Sequence, residues 1–451
     1  MEKARDILRS GAWLTRERTR LVAAAVLALS MAGFVILVAT AHGGVDFKGR
    51  PLGTDFSDVY AAGTYTLEGH PAAPFDPARQ HAREQQIFGT GTPFYGWHYP
   101  PFSLFVAAAL ALMPYGAALA VWQTVTLGFY LLTVRAIISP SILSAPGSRR
   151  RESPDEEVRN KIDRSRDPAP SGLQPSGFSP SRRHEWLLLA VAFPAVLINV
   201  GHGQNGFLTA ALLGAALVTL DRAPLVAGVL FGLLAYKPQF GLTIPIALAA
   251  SGRWRCFVAA AAAVVVLVAA TVLAFGPHVW PAFWHSTRFT RLVALEQGNT
   301  GWYKIQSVFA WARMWGASIP VAYVLQGALD AALVAALAGL WRSAAAYPLK
   351  AAALCLAAML ATPYAFDYDM MMLGPAIAFF AADGFARGFG PWEKTALAAL
   401  WLTPLFARSI AHLTLIPLGV PAMLMIFILL LRRSARDLAW PMAFSSAFLP
   451  K

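Results

Sequence analysis

Charge is what this chain has least of. Only 14% of its 451 residues are Asp, Glu, Lys or Arg, against about 25% in soluble domains, which excludes an ordinary water-soluble fold. Cysteine is nearly absent. Cys256 and Cys355 are the only two, each inside an apolar run, so neither a disulfide framework nor a metal-ligand spacing is at hand. No His/Cys/Asp/Glu cluster, glycine-rich phosphate loop or serine–histidine pair stands out, and no metal or cofactor is expected. Ten-residue polar/apolar alternation is also missing, which argues against a membrane β-barrel. No small-residue cleavage pattern follows the first apolar run, which is too long for a signal peptide and reads as an anchor.

What is present is apolar. The chain is 57% hydrophobic, and residues 21–42, 256–275 and 413–431 each form an uncharged run close to the ~20 residues that cross a bilayer core. Lipid cannot satisfy an unpaired backbone amide, so these runs must be helices. The fold class expected is an all-α integral membrane bundle of about twelve transmembrane helices, on the length of a span. The net charge of +13 does not point to nucleic acid. Its basic residues lie in short clusters between apolar runs, the topology signal of a multi-pass inner (plasma) membrane protein among membrane lipids.

Residues 1–20 hold six Lys/Arg against three Asp/Glu and should stay cytoplasmic. The unit 21–138 follows: a first crossing, an exterior loop at 43–101, a short interfacial helix over 101–113 and an inward crossing over 117–138. Residues 139–185, rich in Ser, Pro and charge, read as a disordered cytoplasmic insert dispensable for chemistry. Hairpins fill 186–275, a second exterior loop occupies 276–316, more crossings run over 317–431, and 432–451 is a cytoplasmic tail. In this topology every unusual polar motif falls on the outer face.

Asp55 and Asp58, three apart in Gly-Thr-Asp-Phe-Ser-Asp-Val-Tyr at 53–60, would share one side of a helical turn. A carboxylate there suits general-base work on a hydroxyl acceptor; both could equally be solvated acids, or one a cap for the helix through 60–67. His98, in Trp-His-Tyr-Pro-Pro at 97–101, is a candidate phosphate contact in a stretch that also reads as an interfacial anchor. Lys237, ending an apolar helix, is either a snorkelling lysine or an anion contact. Gln204 and Asn205 sit in a glycine-flanked turn, which turn chemistry alone explains, and their amides could also bind sugar hydroxyls. Asp367 and Asp369 are acids between apolar helices, functional by default unless wet. The loop 276–316 holds five of the fourteen tryptophans with Arg288 and Lys304 among its cations. That composition suits a lipid phosphate and a sugar face, or an aromatic belt.

Taken in order, Asp55-Phe56 with Tyr60-Ala61-Ala62-Gly63, Glu68-Gly69-His70-Pro71, Tyr99-Pro100-Pro101, Gly203-Gln204-Asn205, Lys237-Pro238-Gln239 and Thr362-Pro363 with Tyr-Ala-Phe-Asp-Tyr-Asp resemble a known set. The chain resembles the GT-C membrane glycosyltransferases, and within them glycosyltransferase family 87, which includes polyprenol-phosphate-mannose-dependent phosphatidylinositol mannosyltransferases. The resemblance implies a polyprenyl-phosphate-linked sugar donor, a lipid or glycan acceptor, transfer with inversion on the extracytoplasmic side, and no nucleotide. It implies Asp55 as general base with Asp58 second, and Lys237 as an anion-facing residue; His98, Arg288 and Lys304 join it toward the donor phosphate on their own chemistry. Tyr60, Gln204, Asn205, Gln239, Asp367 and Asp369 would face sugar or acceptor. One departure is the pair Asp367 and Asp369, where the family's mannosyltransferases carry histidine, which leaves sugar and acceptor outside what the resemblance fixes. The competing class is a transporter or lipid-linked-substrate flippase, which also uses broken hairpins with polar turns.

Overall fold

A computed structural model describes residues 2–139 and 185–446. All but the two end residues of the expected 139–185 insert therefore lie outside the described residues. The described residues form helices, with only three isolated β-bridges among them. Before the gap run α1 (Glu2–Ser10), α2 (Arg16–Ala39), α3 (Phe56–Leu67), α4 (Pro77–Phe88), α5 (Ser103–Ala111) and α6 (Tyr115–Ile137). After it come α7 (Glu185–Val191), α8 (Pro194–His202), α9 (Gly206–Thr219), α10 (Pro224–Leu233), α11 (Thr243–Ala250) and α12 (Trp254–Phe275). The chain continues through α13 (Val279–Thr290), α14 (Val308–Met314), α15 (Ile319–Arg342) and α16 (Tyr347–Leu360). It closes with α17 (Leu373–Arg387), α18 (Glu393–Thr414) and α19 (Gly419–Ser446).

Six helical stretches are long and apolar enough to cross a membrane, or seven when the bent pair α7–α8 counts as one span. Most of the other expected hairpin arms are apolar helices of 10–17 residues: 206–219, 224–236, 238–250 and 347–360. Length alone therefore does not make them spans, and neighbouring helices must cover them. The bend of 46° between α7 and α8 falls where Pro194 enters α8, because proline can open a helix but not continue the preceding one.

The centre of the bundle is α16. Every residue from Ala351 to Leu360 is buried, as expected of a helix that is apolar on all sides. Around it Trp341, Tyr130, Phe207 and Phe379 are among the largest fully buried side chains. At the edge, α3 packs on α5 through Gly63, where a Cβ would stand only 2.1 Å from the Ala107 carbonyl oxygen. The second expected loop, 276–316, is mostly helical, holding α13, a π-helical turn at Arg291–Glu296 and α14. Ile305 bridges to Phe366, and the Gln306 amide donates to the Ala365 carbonyl at 2.7 Å. This pairing carries the 302–306 segment onto the 364–369 turn, one wall of the site.

Candidate active site

Asp55 occupies the position before α3, but its side chain makes no cap hydrogen bond to that helix. It is held from elsewhere. Its backbone N–H donates to the His202 carbonyl at 3.0 Å. Gln204 Nε2 donates to Asp55 Oδ2 at 2.9 Å, and Thr54 Oγ1 to Oδ1 at 3.2 Å. The orientation of the Gln204 amide is set by its other end, where Oε1 accepts from the Tyr99 hydroxyl and the Asn205 N–H, each at 3.2 Å. With Oε1 accepting twice, Nε2 is the end left to meet the carboxylate. The approach of the two segments requires Gly203. Its φ is +64°, and a Cβ there would lie 2.5 Å from Phe56 Cβ.

Asp58 is a different kind of acid. It is 3% exposed, and its Oδ1 has no hydrogen-bond partner. Burial, then the charges of Asp55 and Glu84, push its pKa well above the ordinary carboxylate value, which favours its protonated form. Glu84, fully buried on α4, is likewise raised by burial. It accepts from the Tyr95 and Gly96 N–H groups and from Gln80 Nε2. Of the two expected acids, Asp55 is the one that is half-exposed and fixed by donors.

The cations divide in the same way. Lys237 is 4% exposed, and its Nζ lies 2.5 Å from Asp369 Oδ1 and 5.1 Å from the Tyr368 ring centroid. Asp369 Oδ2 accepts the Phe366 N–H at 2.9 Å. Lys237 and Asp369 are thus each other's partner inside the bundle. Asp367, also buried, is paired with Arg408 of α18 at 2.6 Å. Lys304 is half-buried; among the described residues its side chain makes no ion pair or hydrogen bond, and its Nζ lies 5.8 Å from the Tyr303 ring centroid. Burial and then Arg408 lower its pKa, while Asp367 and Asp55 are close enough to raise it in part. His98 Nδ1 meets Thr290 Oγ1 at 2.8 Å. Burial lowers its pKa to about 4, so at neutral pH it is an uncharged imidazole. Arg288, on α13, is exposed and has no partner among the described residues.

The remaining candidates are less central. The Tyr60 hydroxyl donates to the Met113 carbonyl at 3.0 Å and its ring stands edge-on to Tyr115, which joins α3 to the α5–α6 corner. Asn205 is buried with Oδ1 unpartnered. Its carbonyl accepts from the Tyr236 hydroxyl at 3.2 Å. Gln239 lies half-buried on the single turn Pro238–Phe240 and makes no hydrogen bond to the Asp55 cluster.

Two residues escaped the sequence reading. Asn199, fully buried in α8, donates Nδ2–H to the Gln204 carbonyl at 3.0 Å and accepts the Gly206 N–H at 2.7 Å. It splints the turn that presents Gln204. Arg408 is the other. An amide inside Pro-Ala-Val-Leu-Ile-Asn-Val and an arginine inside Leu-Phe-Ala-Arg-Ser-Ile were both signals, since a polar group in an apolar helix needs a partner.

A model of glycosyltransferase family 87 matches residues 97–363, more than half of the chain. The matched stretch takes in Gln204, Lys237 and Lys304 and leaves Asp55, Asp58, Asp367 and Asp369 outside it. No curated protein and no solved structure matches the chain.

Proposed function

The chain belongs to glycosyltransferase family 87, and we propose that its donor is a sugar on polyprenyl phosphate, mannose being the first candidate. The acceptor is a lipid or glycan, reached on the extracytoplasmic side of the cell membrane. Asp55 takes the proton of the acceptor hydroxyl as the oxygen attacks the anomeric carbon. The bond from that carbon to the phosphate oxygen breaks, its electron pair leaves on the phosphate, and the anomeric configuration inverts. The departing phosphate is already an anion, so no acid has to protonate it.

The observation that carries this reading is the state of Asp55: partly exposed, with Gln204 on one carboxylate oxygen and Thr54 on the other. A carboxylate fixed by a side-chain amide and left reachable suits a general base. Asp58, buried with one carboxylate oxygen unpartnered and its pKa pushed up, suits that role less. For the phosphate we favour Lys304, with Arg408 beside it, over Lys237. Lys304 has no ion pair among the described residues and only the Tyr303 ring, at 5.8 Å, beside its ammonium, whereas Lys237 already faces Asp369. His98 would act only as an uncharged hydrogen-bonding group.

The test is transfer from radiolabelled polyprenyl-phosphate mannose to membrane lipid extract by the purified protein in lipid. Asp55→Asn should lose about 10²–10⁴ in rate with its thermal midpoint kept. Asp58→Asn, close in shape to a protonated Asp58, should retain most of the activity. Full activity in Asp55→Asn would remove the general-base assignment. Transfer from a different class of donor, with none from polyprenyl-phosphate sugars, would overturn the donor.

A further inference from the structure

Away from the acids, α10 and α12 enclose an open lateral groove of about 870 Å³, within the size range of small-molecule sites. The two helices run side by side in the same direction. Gly228 lies against Cys256 and Ala259, and Gly232 against Ala260 and Ala263, where a Cβ on either glycine would come within 2.5–2.7 Å of its neighbours. Backbones brought this close by small residues turn their larger side chains outward. Leu225, Val229 and Leu233 form one wall, and Val258 and Val266 the other. Only Cys256 and Thr271 of α12 are buried, so the groove opens to whatever surrounds the bundle.

Its two ends differ. At the head of both helices stand Trp254, 57% exposed, and Arg255, both lining the groove. Arg253 pairs with Asp221 and lies over the Trp341 ring at 5.4 Å, which brings the end of α15 to the same place. The end therefore brings Arg253, Arg255 and Lys350 together near Asp221. Arg255 and Arg342 are exposed and have no ion pair or hydrogen bond among the described residues. Along its length the groove is apolar.

We propose that this groove binds a glycerophospholipid with an anionic headgroup, its acyl chains along α10 and α12 and its phosphate at Arg255. An apolar channel closed at one end by a tryptophan and by Arg255, unpaired among the described residues, matches that amphiphile in both charge and shape. A second copy of the chain would bury the walls but leave Arg255 unanswered. The proposal goes beyond the sugar-transfer reading and does not depend on it.

The experiment is native mass spectrometry of the full-length protein after exchange into nanodiscs of equal phosphatidylglycerol and phosphatidylcholine. Wild type should retain phosphatidylglycerol in preference by about fivefold. Arg255→Gln should bring that preference near one, and Val229→Trp, which fills the groove, should reduce retention of both lipids. Arg255 is on the surface, so its variant tests the headgroup contact even where Val229→Trp does not fold. Equal retention of both lipids by wild type would overturn the proposal. So would a preference unmoved by Arg255→Gln, or a lipid-free dimer that Val229→Trp disperses.

Discussion

Two lysines near the acids are held in opposite ways, and the difference can be tested one side chain at a time. Lys237 and Asp369 are both buried and paired at 2.5 Å. Removing one leaves a charge without its partner in a dry site. Lys237→Met alone should cost about 3–5 kcal/mol of stability, and the double change with Asp369→Leu should recover much of it; thermal midpoints in detergent would check the cycle. Lys304→Gln leaves no orphaned charge. It should keep the midpoint and raise the KM for the donor about tenfold, the order expected for losing one hydrogen bond to a charged group.

Asp58 adds a pH dependence at the same scale. Its folded pKa lies above the unfolded value, so the folded state binds the extra proton. Stability is then full below the unfolded pKa and falls as pH rises toward the folded one. The thermal midpoint of wild type should drop as pH rises above the ordinary carboxylate range, and Asp58→Asn should flatten that drop. A wild-type midpoint that rises over this range would contradict the assignment.

Among elements, the meeting of α3 with the α8–α9 turn sets the geometry of Asp55. A cap position whose side chain declines to cap, at a cost of about 1 kcal/mol, makes sense only because Gln204 engages that carboxylate instead. Gly203 allows the approach. Gly203→Ala places a Cβ at φ +64° against Phe56 and should displace Gln204. We expect kcat to fall about 10²-fold while helix content by circular dichroism is unchanged. The elements themselves were legible. Paired prolines at 100–101 announce α5, and the uncharged run at 256–275 matches α12, because helix boundaries follow local apolarity and breakers. The helical content of 276–316 was not legible. Aromatics and cations are interleaved there, and its apolar side is recognisable only once α15 and the 364–366 turn lie beside it.

For the whole molecule, polar residues far apart in sequence come into contact: Gln204 bonds both Asp55 and Tyr99, and Lys237 pairs with Asp369. Asp55, Gln204, Lys304 and the 367–369 turn meet although up to 314 positions separate Asp55 from Asp369. Family membership sets aside the transporter reading in favour of a glycosyltransferase. Which side of the membrane the site faces is open to a direct probe. Cys256 and Cys355 are both fully buried and should stay silent toward a membrane-impermeant maleimide. A cysteine at Arg79 should then label from outside intact cells, and one at Lys394 only after lysis; the reverse pattern would place the site in the cytoplasm.

By itself the sequence determined the membrane class, the approximate position of the helices and the short polar stretches that matter. Each of these depends on residues adjacent along the chain. Only the tertiary structure decided which acid is buried and which lysine is already answered. Burial of Asp58, the partner of Lys237 and the pairing of Arg408 with Asp367 rest on distances between segments far apart in sequence. Burial and nearby charges shift a group's ionisation from the value its residue type alone would give.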